Sequence, residues 1–279
     1  MNFIHLDTAF GNIAESILYK SFYFSGGEPH IKILQEIPGD EVTVTTRLNS
    51  FNDMGMLLMA TDAMRRMGVK KLHAVIPYFP AARQDRLMIP GEPLSVKVYA
   101  DLLNAQQYES VTLFDPHSDV TPALVNNVHA VSNHAFVKDC LQNIQDYVLI
   151  SPDGGALKKI YKLSEYLGGA AVVECTKKRD VTTGQLTKFA VGEEDLKGKT
   201  CVIVDDICDG GATFTGLAAK LKEHSAGDIY LIVSHGIFSK GTAALTPHFK
   251  QIFTTDSVKT ITDDTAITQQ PLLPYLLNR

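Results

Sequence analysis

The chain has 279 residues, of which 45% are hydrophobic and 20% charged. This length is typical of about two domains, and the composition excludes a disordered chain. The net charge of -5 argues against a nucleic-acid partner, and the absence of a long apolar run argues against a membrane span.

Short β-branched runs alternate along the chain with longer stretches of helical periodicity. Apolar residues predict one helix over Leu94, Val98 and Leu102, and another over Phe214, Leu217 and Leu221. A third helix is expected to start after Asp153 and to end at Gly168 and Gly169. The predicted strands are Glu41–Thr46, Leu72–Pro77, Val111–Phe114, Tyr147–Ser151, Ala170–Glu174, Cys201–Asp205, Ile229–Ser234 and Gln251–Thr254.

Strand–helix–strand repetition predicts an α/β fold with parallel sheets flanked by helices. Two such blocks fit the length, and the polar stretch at 143–146 is the expected boundary. We therefore expect an N-terminal domain over 1–143 and a C-terminal domain over 144–279. Ligands of such sheets lie beyond the carboxyl ends of the strands, so residues that follow each apolar run are the candidates for function.

The most informative of these segments is DDICDGGAT, residues 205–213. Two glycines let backbone N–H groups approach an anion, and the start of the following helix adds partial positive charge. The adjacent carboxylates suit sugar hydroxyls or Mg²⁺ better than a bare phosphate. A phosphorylated pentose satisfies both halves, whereas the alternative is a solvated turn in which Asp209 caps the helix. The candidate substrate-binding residues are Asp205, Asp206, Asp209, Gly210, Gly211, Ala212 and Thr213.

This segment resembles the phosphoribosyl diphosphate motif shared by type I phosphoribosyltransferases and ribose-phosphate diphosphokinases. Two further segments resemble only the second group, and the resemblance implies that they bind ATP. RQDR, residues 83–86, offers guanidinium forks and an amide, and FSGGE, residues 24–28, offers a ring and a carboxylate to adenine. In family members the corresponding loop reaches in from a neighbouring subunit, and the resemblance therefore implies a homo-oligomer. The candidate ATP-binding residues are Phe24, Gly26, Gly27, Glu28, Arg83, Gln84, Asp85 and Arg86.

Each of these two segments also has a plain structural interpretation. RQDR is compatible with a charged loop after a strand, and FSGGE with a glycine turn between two strands. Gly26 also departs from the family pattern, which has Asp or Asn at this position.

Two segments that follow apolar runs supply the candidate Mg²⁺ ligands. FDPHSD, residues 114–119, contains His117, for which the resemblance implies magnesium binding, although Pro116 and Ser118 depart from the family pattern. SPDGGALKK, residues 151–159, contains Asp153, which is suited to hold a cation, to cap a helix, or both.

The basic stretch at 175–190 is expected to be a mobile loop with catalytic residues. Lys177 and Arg179 match the Lys and Arg of the family's flexible catalytic loop. The resemblance implies that they neutralise charge on the transferred diphosphate and on the leaving AMP. A solvated surface hairpin is the alternative.

The resemblance extends over almost the whole chain, with five motifs in order. It implies two tandem type I phosphoribosyltransferase-like domains and an enzyme that makes phosphoribosyl diphosphate and AMP from ATP and ribose 5-phosphate. The alternatives are a phosphoribosyltransferase that consumes phosphoribosyl diphosphate and a non-catalytic regulatory homologue. The N-terminal residues do not form a secretory signal, and the four cysteines lack metal-site spacing, so we expect a cytoplasmic protein without structural disulfides.

Overall fold

The computed structural model describes residues 2–10, 15–179, 186–262 and 264–277. The chain forms two compact units, one of Met1–Ser132 with Leu272–Arg279 and one of Asn133–Pro271. This division lies eleven residues before the predicted boundary of 143/144. The polar stretch at 143–146 is an exposed turn between a helix and a strand of the second unit, so its composition reflects solvent contact within that unit.

The first unit is built on a parallel sheet with the spatial order β1-β4-β5-β6-β7. A separate antiparallel pair, β2 and β3, lies between β1 and β4 in the sequence. The elements are β1 (Asn2–His5), β2 (Tyr19–Tyr23), β3 (Pro29–Ile33), β4 (Glu41–Thr45), α1 (Phe51–Arg66), β5 (Lys71–Ile76), α2 (Ser95–Asn104), β6 (Ser110–Phe114), α3 (Val120–Leu124) and β7 (Val128–Val131).

Local sequence explains how these elements begin and why they are buried. Strand β4 reads EVTVT and is buried from its second residue onward, as expected for a parallel strand covered on both faces. Ser50 caps α1 by accepting a hydrogen bond from the Asp53 amide at 3.2 Å. The sheet therefore carries a continuous apolar core, and its polar loops are left at the strand ends.

The second unit has a larger sheet with the order β10-β9-β8-β11-β12-β13-β14. Its strand pairs are parallel except for β9 with β10. The elements are α4 (His134–Cys140), β8 (Tyr147–Ser151), α5 (Leu157–Tyr166), β9 (Val172–Arg179), β10 (Leu186–Val191), β11 (Thr200–Cys208), α6 (Ala212–Glu223), β12 (Ile229–Gly236), β13 (Gln251–Thr255) and β14 (Ile267–Gln270); α7 (Leu273–Leu277) follows and belongs to the first unit.

The predicted α/β fold with two mainly parallel sheets is confirmed, and the prediction of a loop at 175–190 is wrong. The stretch at 175–190 was expected to be a loop, but β9 continues to Arg179 and pairs with β10 from Leu186. Val172, Val173 and Thr176 are β-branched residues of β9, and such residues suit a strand. Residues 180–185 lie outside the described residues, as do the side chains of 177–179 and 186–189.

All four cysteines are free thiols and buried, in agreement with the expectation of no disulfides. Burial raises the pKa of Cys175 to about 12 and that of Cys201 to about 11. Among the helices that the structure describes, none has the length and apolar character needed to cross a bilayer.

Candidate functional site

The acidic pair lies inside a strand rather than on the turn after it. Strand β11 pairs with β8 as far as Ile203 and with β12 as far as Cys208. Strand β11 therefore extends past its last pairing with β8, and Asp205 and Asp206 lie in that extension. Because side chains alternate along a strand, the two neighbouring carboxylates point to opposite faces of the sheet.

The two carboxylates have different surroundings. Asp206 is buried, with 7% of its surface exposed, and its Oδ2 lies 3.1 Å from the Lys159 Nζ. Asp205 is half-buried, and its Oδ1 accepts a hydrogen bond from the Asp206 amide at 2.9 Å. The charge of Asp206 is therefore compensated by a cation from α5, which leaves Asp205 as the better candidate to accept hydrogen bonds from a sugar.

Sequence reasoning missed Lys159. It stands beside Lys158 on α5, in a segment where lysines are most often solvated. Only the fold brings α5 beside the end of β11, so no local signal distinguishes Lys159 from its neighbour.

The glycine turn at 209–213 leads directly into α6. Gly211 has a φ of +79°, and a Cβ at this position would lie 2.9 Å from the Leu245 side chain. Both facts require glycine here. Gly211 is also the N-cap residue of α6, and Asp209 instead accepts a hydrogen bond from the Ser239 hydroxyl at 2.5 Å. The Asp209 carboxylate thus links the turn to the segment after β12.

Asp153 follows β8 at the same sheet edge as the turn of β11. Its Oδ1 accepts hydrogen bonds from the amides of Gly155 at 2.9 Å and Ala156 at 3.1 Å. Helix α5 begins one residue later, at Leu157. Asp153 thus stabilises the turn that leads into α5, as its capping interpretation predicts, and its role toward a metal stays a prediction.

The first unit presents its candidate residues after two neighbouring parallel strands. The segment at 83–86 follows β5, and Arg83, Gln84 and Arg86 are exposed. Asp85 is half-buried, with its Oδ1 3.4 Å from the Arg86 Nε. His117 is half-buried in the bend after β6. The carboxyl ends of β5 and β6 therefore bring the candidate ATP segment and the candidate His ligand to one edge of this sheet.

The segment at 24–28 forms the turn between β2 and β3. Phe24 is 52% exposed, and its ring lies 4.9 Å from that of Phe22 and 5.4 Å from that of His30. The Gly27 amide donates to the Phe24 carbonyl at 2.8 Å, and Gly27 has a φ of +96°. The expected glycine turn between two strands is present, with an exposed aromatic ring at its base.

Gly26 makes room for the carboxylate of Glu28. A Cβ at Gly26 would lie 2.6 Å from the Glu28 Oε2 and 2.7 Å from its Oε1. Glu28 therefore folds back over the backbone at the position where the family carries an Asp or Asn side chain.

The remaining candidates are placed only in part. Lys177 and Arg179 lie on β9 by their backbone, and their side chains are outside the described structure. Within the described ranges, no group of three or more His, Cys, Asp or Glu side chains is arranged to hold a metal ion. His117 belongs to the first unit and Asp153 to the second.

Two mainly parallel sheets and the strand–acid–glycine–helix turn define an α/β protein of the phosphoribosyltransferase class. Residues 125–270 match the family model of the phosphoribosyl transferase domain, and residues 14–106 match that of the N-terminal domain of ribose phosphate pyrophosphokinase.

Individual relatives agree with the family models. A ribose-phosphate pyrophosphokinase of Corynebacterium efficiens is 30% identical and aligns over 91% of this chain and 81% of its own length. A putative ribose-phosphate pyrophosphokinase 2 of Streptococcus pyogenes is 32% identical over 85% of this chain and 74% of its own. This chain belongs to the ribose-phosphate pyrophosphokinase family, whose members are also called ribose-phosphate diphosphokinases.

A solved structure has the same fold. The phosphoribosylpyrophosphate synthetase of Mycobacterium smegmatis superimposes with a TM-score of 0.87 at 23% identity, covering 100% of this chain and 97% of that one.

Proposed function

We propose that this chain transfers a diphosphate from ATP to the C1 hydroxyl of ribose 5-phosphate. The arrangement of Asp205, Asp206 and the glycine turn ahead of α6 is the observation that carries the proposal, together with family membership. The hydroxyl oxygen forms a bond to the β-phosphorus of ATP, the bond from that phosphorus to the bridging oxygen breaks, and AMP leaves. The hydroxyl proton passes to solvent.

The second unit supplies the sugar site. The amides of Gly210, Gly211 and Ala212 and the hydroxyl of Thr213 bind the 5-phosphate at the start of α6, where the helix adds partial positive charge. Asp205 orients the ribose hydroxyls. Asp206, already paired with Lys159, supports that arrangement from within the strand.

The first unit supplies the nucleotide segments. Arg83 and Arg86 are exposed beyond β5, where their guanidinium groups suit phosphate oxygens, and Gln84 suits an adenine or ribose edge. Phe24 and Glu28 bind adenine through the exposed ring and the carboxylate at the turn between β2 and β3.

Mg²⁺ is the cofactor that the donor atoms favour. Mg²⁺ is usually held by one or two carboxylates together with substrate phosphates, and the acids at the end of β11 and after β8 match this donor set. Asp153 in the second unit and His117 in the first are each proposed as a Mg²⁺ ligand, and Asp205 offers a further carboxylate. When bound, the ion neutralises phosphate charge.

Lys177 and Arg179 are the proposed catalytic residues. Positioning and charge neutralisation dominate phosphoryl-type transfer, and both residues lie in the last three positions of β9. Their cationic groups stabilise the charge that develops on the transferred diphosphate and on the leaving AMP.

Self-association and a cytoplasmic location complete the proposal. Phe22, Tyr23 and Phe24 expose large apolar surfaces on the β2–β3 pair, which favours burial against a second copy of this chain. The four free thiols suit a reducing compartment.

The test is product analysis with purified protein, ATP, Mg²⁺ and ribose 5-phosphate. Phosphorus NMR should show AMP and phosphoribosyl diphosphate, whereas ADP and a doubly phosphorylated ribose would reject the proposal. Lys177→Ala should lower kcat on the order of a hundred-fold while KM for both substrates changes little, because the lysine acts at the transition state. A sharp rise in KM for ATP with kcat intact would instead make this segment a binding clamp.

A further inference from the structure

Lys240, in the segment after β12, lies along the glycine turn of the sugar site. A Cβ at Gly210 would be 3.5 Å from both the Cδ and the Cε of Lys240 and 3.8 Å from its Cγ. The Nζ is one C–N bond beyond Cε, so the ammonium lies within about 5 Å of that position. The lysine stem thus passes the open side of Gly210, and Lys240 is exposed to solvent.

Backbone and side-chain hydrogen bonds fix this placement. The Ser239 hydroxyl donates to Asp209 Oδ1 at 2.5 Å, and the Ser239 amide donates to the Asp209 carbonyl at 3.2 Å. The amides of Ile237 and Phe238 both donate to the Cys208 carbonyl, at 2.9 and 3.1 Å. Asp209 and Ser239, which directly precede Gly210 and Lys240, are therefore held together by hydrogen bonds.

The charges around the turn indicate what Lys240 contributes to phosphate binding. Asp205, Asp206 and Asp209 lie in the strand and turn that lead into α6, and a carboxylate repels a phosphate. Lys159 compensates Asp206 from the side of α5. Lys240 is a second cation near this segment, and it attracts a phosphate on the side of Gly210.

We propose that Lys240 binds the 5-phosphate of ribose 5-phosphate as an additional cation beside the glycine turn, an inference that rests on the function proposed above. Thirty residues separate Lys240 from Gly210, so no motif marks it, and only the bonded pair of turns brings it to the site.

Calorimetric titration with ribose 5-phosphate tests the role of Lys240 directly. Lys240→Met keeps the apolar stem and removes the charge, so it should weaken binding about ten-fold. Lys240→Arg should keep affinity within about three-fold of the wild type, since the charge remains. Binding of an ATP analogue should not change. Lys220→Met is the matched control, because Lys220 lies on α6 roughly 12 Å from its start and pairs with Glu223.

The titration separates this inference from the proposed function. If the wild type binds ribose 5-phosphate and forms AMP, and Lys240→Met binds the sugar phosphate equally well, Lys240 has no such role and the proposed function stands. An equal loss in Lys220→Met would also overturn the inference, because it would reflect net charge alone. If the wild type binds ribose 5-phosphate no better than ribose and forms no AMP, both proposals fail.

Discussion

At the scale of single residues, the ion pair between Lys159 and Asp206 is expected to contribute to stability. Asp206 is buried, and Lys159 reaches it from a partly exposed position, so removing the cation leaves a buried carboxylate with less compensation. We expect Lys159→Met to lower the free energy of unfolding by about 1–2 kcal/mol, a value reduced for the exposure of the lysine. Urea denaturation measures this.

The matched control for that prediction lies on the same helix. Lys162 is exposed on α5, and Lys162→Met should change the free energy of unfolding by less than about 0.5 kcal/mol. The double variant Lys159→Met with Asp206→Asn should recover part of the loss, because the uncompensated charge is gone. Equal effects of the two single lysine variants would show that the pair contributes nothing specific.

At this scale, sequence reasoning identifies residues by motif and misses those that act from elsewhere. Asp205, Asp209 and Gly211 follow one another along the chain, so their spacing alone indicates a phosphate turn. Lys159 and Lys240 come from other elements, and no local pattern separates them from solvated lysines.

The strand–turn–helix element at 205–213 depends on the backbone conformation of Gly211. Gly211→Ala introduces both an unfavourable φ and a contact of 2.9 Å with Leu245. Gly198 has a similar φ of +74°, and an added Cβ there meets nothing within 4 Å, so Gly198→Ala isolates the cost of the φ. That cost is about 1–2 kcal/mol.

We expect Gly211→Ala to lower the free energy of unfolding by about 1–2 kcal/mol more than Gly198→Ala does, because overpacking adds to the backbone strain. It should also weaken ribose 5-phosphate binding, whereas Gly198→Ala should bind normally. Thermal denaturation and calorimetric titration measure the two effects. Equal stability of the two variants would mean that Leu245 yields easily and that packing does not require glycine here.

Element prediction from sequence succeeds where the pattern is strong. The predicted strand Tyr147–Ser151 agrees with β8, and the helix expected to end at Gly168 and Gly169 ends at Tyr166 with both glycines in the left-handed region. Helix α1 lacks a clear contrast between an apolar and a polar face, because it carries apolar residues on its exposed side as well, including Phe51 and Met59.

Other elements depend on tertiary partners that a local pattern cannot supply. Strand β14 reads ITQQ and exists by pairing with β13, and the arms of the β9–β10 ribbon stabilise each other. Long-range pairing therefore determines that these segments form strands. Runs of β-branched residues do not predict short polar strands of this kind.

At the scale of the whole molecule, each unit has candidate residues at the carboxyl edge of a mainly parallel sheet. In the first unit these are the segments after β5 and β6, and in the second the segments after β8 and β11. The general rule for such sheets predicts this edge from strand order alone. Whether one chain or two chains contribute the residues of a complete site depends on assembly, which sequence patterns do not predict.

Subunit mixing tests that assembly. If Phe24 from one chain completes a site whose Lys177 belongs to a second copy, a mixed dimer of Phe24→Ala and Lys177→Ala chains holds one intact site and one doubly altered site. Each variant alone should be nearly inactive, and an equal mixture should regain up to about a quarter of the wild-type activity, since half of randomly formed dimers are mixed.

The control for that mixture is a pair of variants that cannot complement. In the proposed arrangement, Lys177 and Asp205 of one site come from the same chain. A mixed dimer of Lys177→Ala and Asp205→Ala chains therefore contains no site in which both residues are intact. Subunit exchange is verified by mass spectrometry of differently tagged chains. Recovery with Phe24→Ala but not with Asp205→Ala would place Phe24 in a neighbour's site. No recovery in either mixture, with exchange verified, would mean that each site is formed within one chain.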